Sequence, residues 1–349
     1  MPDARTGARP VPGAAGSTTP MDAKTLGALL SRYRSPSVHR STVQLLVTAV
    51  PFFALWAAAY LALGVSYWLT LLLAIPAALF LIRLFMIQHD CGHGAFFPSR
   101  RANDWVGSAL GVLTLVPYGY WRKTHAIHHK TSGDLDFRGF GDIDTLTVDE
   151  YRALSVLGRV RYRVYRNPIV MLVIGPAYQF WLKHRLPLDI PWSWKREWRS
   201  VHLTNLALLA IVLLAWATIG LGPFLLVQAP ISLIAGAIGV YLFYVQHQFE
   251  DTYWREHPEW DFHAAGLQGS SFLVLPKVLQ WFSANIGFHH IHHVSSRIPY
   301  YRLPECYDEN PVFQHVTKLT LWQTMACLRL ALWDERALKL VGFREAAAR

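Results

Sequence analysis

Four apolar runs in a chain of 349 residues decide most of what this sequence can become. They cover residues 43–63, 67–87, 203–219 and 223–245, each about the length an α-helix needs to cross a bilayer. A soluble core cannot hide four such runs, because each is apolar on every side. In lipid the backbone must satisfy its own polar groups, so the runs read as transmembrane helices. Pro51, Pro76 and Pro230 lie inside them and are tolerated as kinks when neighbouring helices re-satisfy the freed carbonyls. Charged residues make up only 16% of the chain, against about 25% in soluble domains.

The runs pair up. Residues 64–66 join the first pair and 220–222 the second, and both links are short and uncharged, so each pair is a tight hairpin. Basic residues gather before the first run (Arg32, Arg34, Arg40), between Arg100 and Arg199, and from Lys277 onward, which places both termini and the large middle segment in the cytoplasm. Arg83, near the inner end of the second run, can snorkel. The net charge of +10 fits attraction to an anionic leaflet, and its arginines form no nucleic-acid-binding stripe, so no nucleic acid partner is expected. Residues 105–120 and 168–182 are apolar but too short or polar to span, and read as interfacial or re-entrant helices. Trp181, Trp192, Trp194 and Trp198 suit the lipid–water boundary.

Residues 1–22 read as a disordered tail, rich in Gly, Ala, Pro, Ser and Thr, and residues 23–349 as one domain. The first apolar run starts too far in for a cleavable leader. Cys91, Cys306 and Cys327 have no CxxC spacing and suggest neither disulfides nor a zinc knuckle. The expected architecture is therefore an all-α integral membrane protein of four transmembrane helices in two hairpins, with a cytosolic helical cap from residues 88–200 and 246–349.

The histidines say what the cap holds. Three clusters stand out: His89 and His93 as HxxxH, His125, His128 and His129 as HxxHH, and His289, His292 and His293 as HxxHH. Positions i, i+3 and i+4 share one helix face, so each cluster can aim its imidazoles at one point. His89 and His93 follow the second run and His247 follows the fourth, so helices continuing a turn or two past the bilayer deliver them to the cytoplasmic side. Nine imidazoles exceed the three or four that one tetrahedral zinc takes, and serve two metals. Asn285, four residues before His289, is a candidate tenth ligand, directly or through water. The absence of Glu-x-x-His and HExxH excludes the soluble carboxylate di-iron proteins and the zincin proteases. His290 lies about 100° round a helix from His289 and stays outside the set. His39, His184, His202, His257, His263 and His315 lack ligand spacing and read as structural or surface residues.

In these boxes, in Gln246–Glu250, in Asn285–Phe288 and in the Gly133–Asp136 and Gly141–Asp144 repeats, the chain resembles the membrane-bound fatty acid desaturases from about residue 40 to 310. The short first box resembles that of the acyl-lipid branch that includes the Δ12 (omega-6) enzymes. The resemblance implies two iron ions held by the nine histidines, dioxygen as co-substrate, a long acyl chain of a membrane lipid as substrate, and a cis double bond as product. No His-Pro-Gly-Gly segment is present, so no fused cytochrome b5 is evident, and the resemblance then implies an external electron donor such as a ferredoxin. A bacterial inner membrane is the expected location. In acyl-CoA desaturases an asparagine lies one turn before the lone histidine; Phe243 stands there in this chain, and Asn285 is the substitute candidate.

Carboxylates that orient the imidazole N–H groups are sought among Asp90, Asp134, Asp136, Glu250 and Asp251. Tyr118, Tyr120 and Trp121, just before the second box, are candidates to line the acyl tunnel. Hydroxylases and ketolases acting on carotenoids, sterols or alkanes share similar boxes and stay open as an alternative. A metal transporter would carry ionisable groups within its spans, and these spans hold almost none.

Overall fold

The computed structural model describes residues 23–348, so the expected disordered tail at residues 1–22 lies outside the described residues. After a short helix α1 (Ala23–Ser31) come α2 (Val38–Ala62), α3 (Tyr67–Gly92), α4 (Arg100–Leu113), α5 (Tyr118–Thr131), α6 (Lys195–Thr218), α7 (Leu221–His247) and α8 (His289–Val294), with shorter helical pieces between them. Helices α2, α3, α6 and α7 are long and apolar enough to cross a membrane. The molecule is a mostly helical, four-span integral membrane protein.

Each span runs past the apolar run that announces it. Ser37 caps α2 by accepting the Arg40 N–H at 3.3 Å. Gly220, at φ +85°, makes the turn from α6 into α7 in a conformation that favours glycine. Helix α3 continues to Gly92 and α7 to His247, which carries His89 and His247 beyond the apolar core. The four spans are unequal. In α3 56% of the most apolar stretch is buried, against 17–28% in the other three, so α3 is the central span and the rest face lipid. It packs on α2, α4 and α7, while α6 leans on α5 and α4 as well as on α7. Trp56 Nε1 donates to Gln228 Oε1 at 3.0 Å and ties the two hairpins together.

Three expectations are corrected. Arg83 does not snorkel: it is 2% exposed. Its guanidinium donates to Thr48 Oγ1 at 3.1 Å, to Gln44 Oε1 and to the Trp281 carbonyl, and lies 3.9 Å above the Trp281 ring. Internal acceptors replace the water that snorkelling would have reached. Residues 105–120 are not one helix. The residue before a proline is disfavoured in the α-region, so Pro117 forces α4 to end, Leu115 turns at φ +61°, and α5 starts afresh at Tyr118. Trp198 is buried rather than interfacial, stacked on Trp192 with ring centroids 4.3 Å apart. Five short strands also join the helices. β1 (Leu146–Thr147), β4 (Leu332–Asp334) and β5 (Lys339–Val341) form one sheet, and β2 (Phe272–Val274) pairs in parallel with β3 (Lys318–Thr320). β4 and β5 form a local antiparallel hairpin, but the β1–β4 and β2–β3 pairings join residues far apart in sequence, which no local pattern announces.

Residues 168–182 do form a helical segment, with wide i+5 turns at Val170–Ile174 and Tyr178–Leu182 on either side of Pro176. Pro176 supplies no N–H and crowds the carbonyl four residues back, which accounts for the opened turns. The segment lies against α7, where a Cβ on Gly236 would sit 3.0 Å from the Phe180 ring.

Candidate metal centre

Four helix ends meet at one place. Helix α3 brings His89, with His93 at its C-cap; α5 brings His125, His128 and His129; α7 ends on His247; α8 brings His289, His292 and His293. Two ligand groups result. The nitrogens of His89, His93, His125, His129 and His292 lie within 4.8 Å of one another, and so do those of His128, His247 and His293. His289 completes the second group, its Nε2 2.9 Å from His247 Nε2 and 3.1 Å from His293 Nε2. The groups adjoin where His129 and His293 stack with centroids 4.2 Å apart. All nine sequence-predicted histidines are therefore brought together, and none is more than partly exposed.

The donor set fits metal ions. Nε2 atoms crowd inward at about 3 Å, as in His129–His125 (3.1 Å) and His292–His129 (3.0 Å). Two outer nitrogens are engaged elsewhere: His247 Nδ1 meets the Gly269 carbonyl at 3.1 Å, and His128 Nδ1 meets Asp142 Oδ1. With Nδ1–H donated outward, the Nε2 lone pair faces the centre. His93 Nε2 and His128 Nε2 are buried with no hydrogen-bond partner among the described residues, a costly state for a polar atom unless a ligand takes it up. Burial first, and the crowding of neighbouring imidazoles second, hold His93, His125, His129, His289, His292 and His293 well below the usual imidazole range. They are neutral at pH 7, as metal ligands must be.

The supporting residues divide. Asp90 belongs to the centre: its Oδ1 is 3.4 Å from His89 Nδ1 and its Oδ2 accepts the Tyr300 N–H at 2.7 Å. Asp134 and Asp136 serve His257 instead, Asp134 Oδ2 at its Nδ1 (2.8 Å) and Asp136 Oδ2 at its backbone N–H (2.9 Å). Glu250 pairs with Lys339 at 2.7 Å, and Asp251 is exposed. Sequence proximity to a histidine box does not determine which way a loop carboxylate turns.

Asp142, by contrast, is the carboxylate on His128, with a side chain only 9% exposed. It is 14 residues downstream of its partner, and only the Gly141–Asp144 repeat drew notice to it. Gly141 explains the approach. At φ +76° the loop presses on α5, and a Cβ there would lie 3.2 Å from the Thr124 carbonyl and 3.4 Å from His128 Cβ. Arg166 is a second missed residue. It is buried, donating to Gln248 Oε1 at 2.8 Å, to Tyr244 OH at 3.3 Å and to the Asp144 carbonyl at 3.2 Å, and so joins the end of α7 to the Asp142 loop.

Of the tunnel candidates only Trp121 touches the centre, stacked on His125 at 4.4 Å and 5.5 Å from His89. Tyr118 OH donates to the Cys91 carbonyl at 2.8 Å, and Tyr120 packs with Ile190, Trp198 and Val201. Asn285 is not on the helix of His289: Ala284 and Asn285 have φ +49° and +58°, α8 begins only at His289, and Asn285 Nδ2 donates to the Tyr300 carbonyl at 3.1 Å. Phe243 packs on His128 and His247, with centroids 5.1 and 5.2 Å away, and offers no donor. His290 stays outside, its Nε2 at the Phe313 carbonyl.

Comparisons with known proteins identify the family. Residues 66–324 match the family model described as fatty acid desaturase. The chain is 45% identical over 321 residues to a fatty acid desaturase of Bacillus subtilis (strain 168), covering 92% of this chain and 91% of that one. It is 28% identical over 238 residues to an endoplasmic reticulum omega-3 fatty acid desaturase of Vigna radiata var. radiata, covering 64% of this chain and 59% of that protein. It is 25% identical over 259 residues to an sn-1 acyl-lipid omega-3 desaturase (ferredoxin) of Nostoc sp. (strain 36), covering 69% and 68%. Four spans, nine converging imidazoles and these matches together make the chain a member of the fatty acid desaturase family, an oxidoreductase of acyl lipids.

Proposed function

We propose that this protein is a dioxygen-dependent, di-iron acyl-lipid desaturase that introduces a cis double bond into a long acyl chain of a membrane lipid. The observation that carries the reading is the division of nine buried imidazoles into two adjoining groups, His89, His93, His125, His129 and His292 beside His128, His247, His289 and His293. These nine are the proposed ligands of two irons, and Asn285 joins only through a water or after its turn rearranges.

An unactivated methylene offers no acidic proton and no leaving group, so side-chain acid–base chemistry cannot attack it. Bound iron supplies the one-electron and oxygen chemistry that the residues lack. The overall reaction consumes dioxygen, two electrons and two protons, removes two hydrogens from adjacent carbons and releases two waters. The chain's own part is positional. Asp142 orients His128, the Gly269 carbonyl orients His247, and Trp121 covers His125 and excludes water from that side.

The centre and both termini face the cytoplasm in this reading, following the positive-inside bias, in a bacterial inner membrane. An external donor such as a ferredoxin delivers the electrons, a reading supported by the ferredoxin-named relative. The short first box favours Δ12 (omega-6) insertion. Expression in a bacterium that lacks polyunsaturated lipids, with a ferredoxin supplied, tests this by fatty-acid analysis. A new dienoic acid is expected. A double bond at another carbon overturns the Δ12 assignment alone. A hydroxy acid, or no change in any lipid with an active donor present, overturns the desaturase reading.

A further inference from the structure

Between the first and second pairs of spans the chain carries a surface that the metal centre does not use. The ten-residue helix Val156–Tyr165 exposes Val156, Leu157, Val160 and Val164, while Tyr162 is buried against the cap. Positions 156, 160 and 164 fall on one stripe, and Arg159 and Arg163 run beside it at i+4 spacing. An apolar stripe edged by arginine is the pattern of a helix lying in a membrane surface.

Its placement agrees. The next residue, Arg166, bonds Tyr244 OH near the end of α7, and Pro176 and Phe180 further on lie against Gly236 of the same span. The exposed stripe therefore sits beside the span end that leads into the cap, where acyl chains give way to headgroups.

On this stripe is a groove of about 310 Å³, lined by Val160, Arg163, Val164, Asn167 and Val170. The groove is shallow and largely open on its outer side. Three walls are valine. Arg163 is exposed, and its Nε donates to Tyr151 OH at 2.6 Å, which anchors the guanidinium and leaves its two terminal nitrogens for a further acceptor. Asn167 Oδ1 accepts the Ile169 N–H at 2.9 Å and caps the following segment. A guanidinium matches a phosphate bidentately, and the valines match methylenes.

We propose that this groove binds one anionic phospholipid of the surrounding leaflet, its phosphate on Arg163 and the start of an acyl chain along Val160, Val164 and Val170. The site is separate from the histidine centre and independent of its metal.

Full-length protein, purified and delipidated in detergent, is titrated with dioleoyl phosphatidylglycerol and with dioleoyl phosphatidylcholine, and bound lipid is counted by native mass spectrometry. The wild type is expected to hold one phosphatidylglycerol per chain at least tenfold more tightly than phosphatidylcholine. Arg163→Gln, which keeps a donor for Tyr151, and Val164→Trp, which fills the groove, should each weaken phosphatidylglycerol at least tenfold. Arg329→Gln, at an exposed arginine elsewhere on the cap, should not. Helical circular dichroism checks folding, and if Val164→Trp fails it, Arg163→Gln carries the test. Equal affinity for the two lipids, or unchanged phosphatidylglycerol binding in Arg163→Gln, overturns the proposal. Inorganic phosphate binding that needs Arg163 but not Val164 reassigns the site to a free anion and overturns it too.

Discussion

Removing the Asp142 carboxylate should empty one half of the metal centre and spare the other. His128 is 1% exposed and Asp142 9%, so bulk water does not reach this pair in the folded protein. Asp142→Ala leaves the His128 Nδ1–H buried without an acceptor. Such an orphan costs about 1–3 kcal/mol, or about 5- to 150-fold in an equilibrium constant. The range agrees with the roughly 10- to 100-fold loss seen when the partner of a metal-bound histidine is removed. The loss falls on the group of His128, His247 and His293, because Asp142 bonds none of the five residues around His125. Apoprotein reloaded anaerobically with Fe(II), dialysed and assayed for iron should retain about half the wild-type metal. Asp142→Asn should lie between, since an amide oxygen still accepts the N–H but without charge. Asp134→Asn should keep the full complement, because Asp134 serves His257. Full iron retention in Asp142→Ala, or loss in Asp134→Asn with Asp142→Ala unaffected, would refute the assignment.

Three further outcomes are expected. His292→Ala, in the five-histidine group, should abolish activity and lower bound iron, whereas His315→Ala, at an exposed site, should change neither; normal iron and activity in the first would sink the shared-centre reading. Gly287→Ala would drive a Cβ into the Leu273 carbonyl oxygen just before α8, so it should cost about 1–3 kcal/mol and lower the unfolding midpoint by several degrees in a detergent melt. An unchanged midpoint would contradict that packing. Burial pushes the Cys306 thiol up to about 12 and the Cys327 thiol up to about 11, so at pH 8 both are fully protonated. Maleimide should label them only after denaturation, and rapid labelling of folded protein would show the cap to be open there.

Much of this protein is local in origin and was legible as such. An apolar run of about 20 residues leaves the backbone no choice but a helix in lipid, and HxxHH puts three imidazoles on one helix face whatever surrounds it. Nine converging histidines could be named from box spacing and, for His247, from its place at the end of a span, but phase did not reveal that His128 and His292 part from the rest of their boxes to join the opposite group. The same reasoning misled at Asn285, where two consecutive left-handed residues break the phase that would have carried it toward His289. It misled again at Asp134, Asp136, Glu250 and Asp251, whose loops turn them to His257, to Lys339 or outward.

The four spans, the two hairpins and the nine histidines were thus determined by sequence alone, through short-range geometry and the cost of unpaired backbone in a membrane. Which histidines share a group, that Asp142 rather than Asp134 backs His128, that Arg83 is buried under Trp281 and that Arg166 joins α7 to the Asp142 loop were decided only by tertiary structure. Those contacts join residues up to about 200 positions apart. Their partners are selected by how whole helices pack, which no window of sequence encodes.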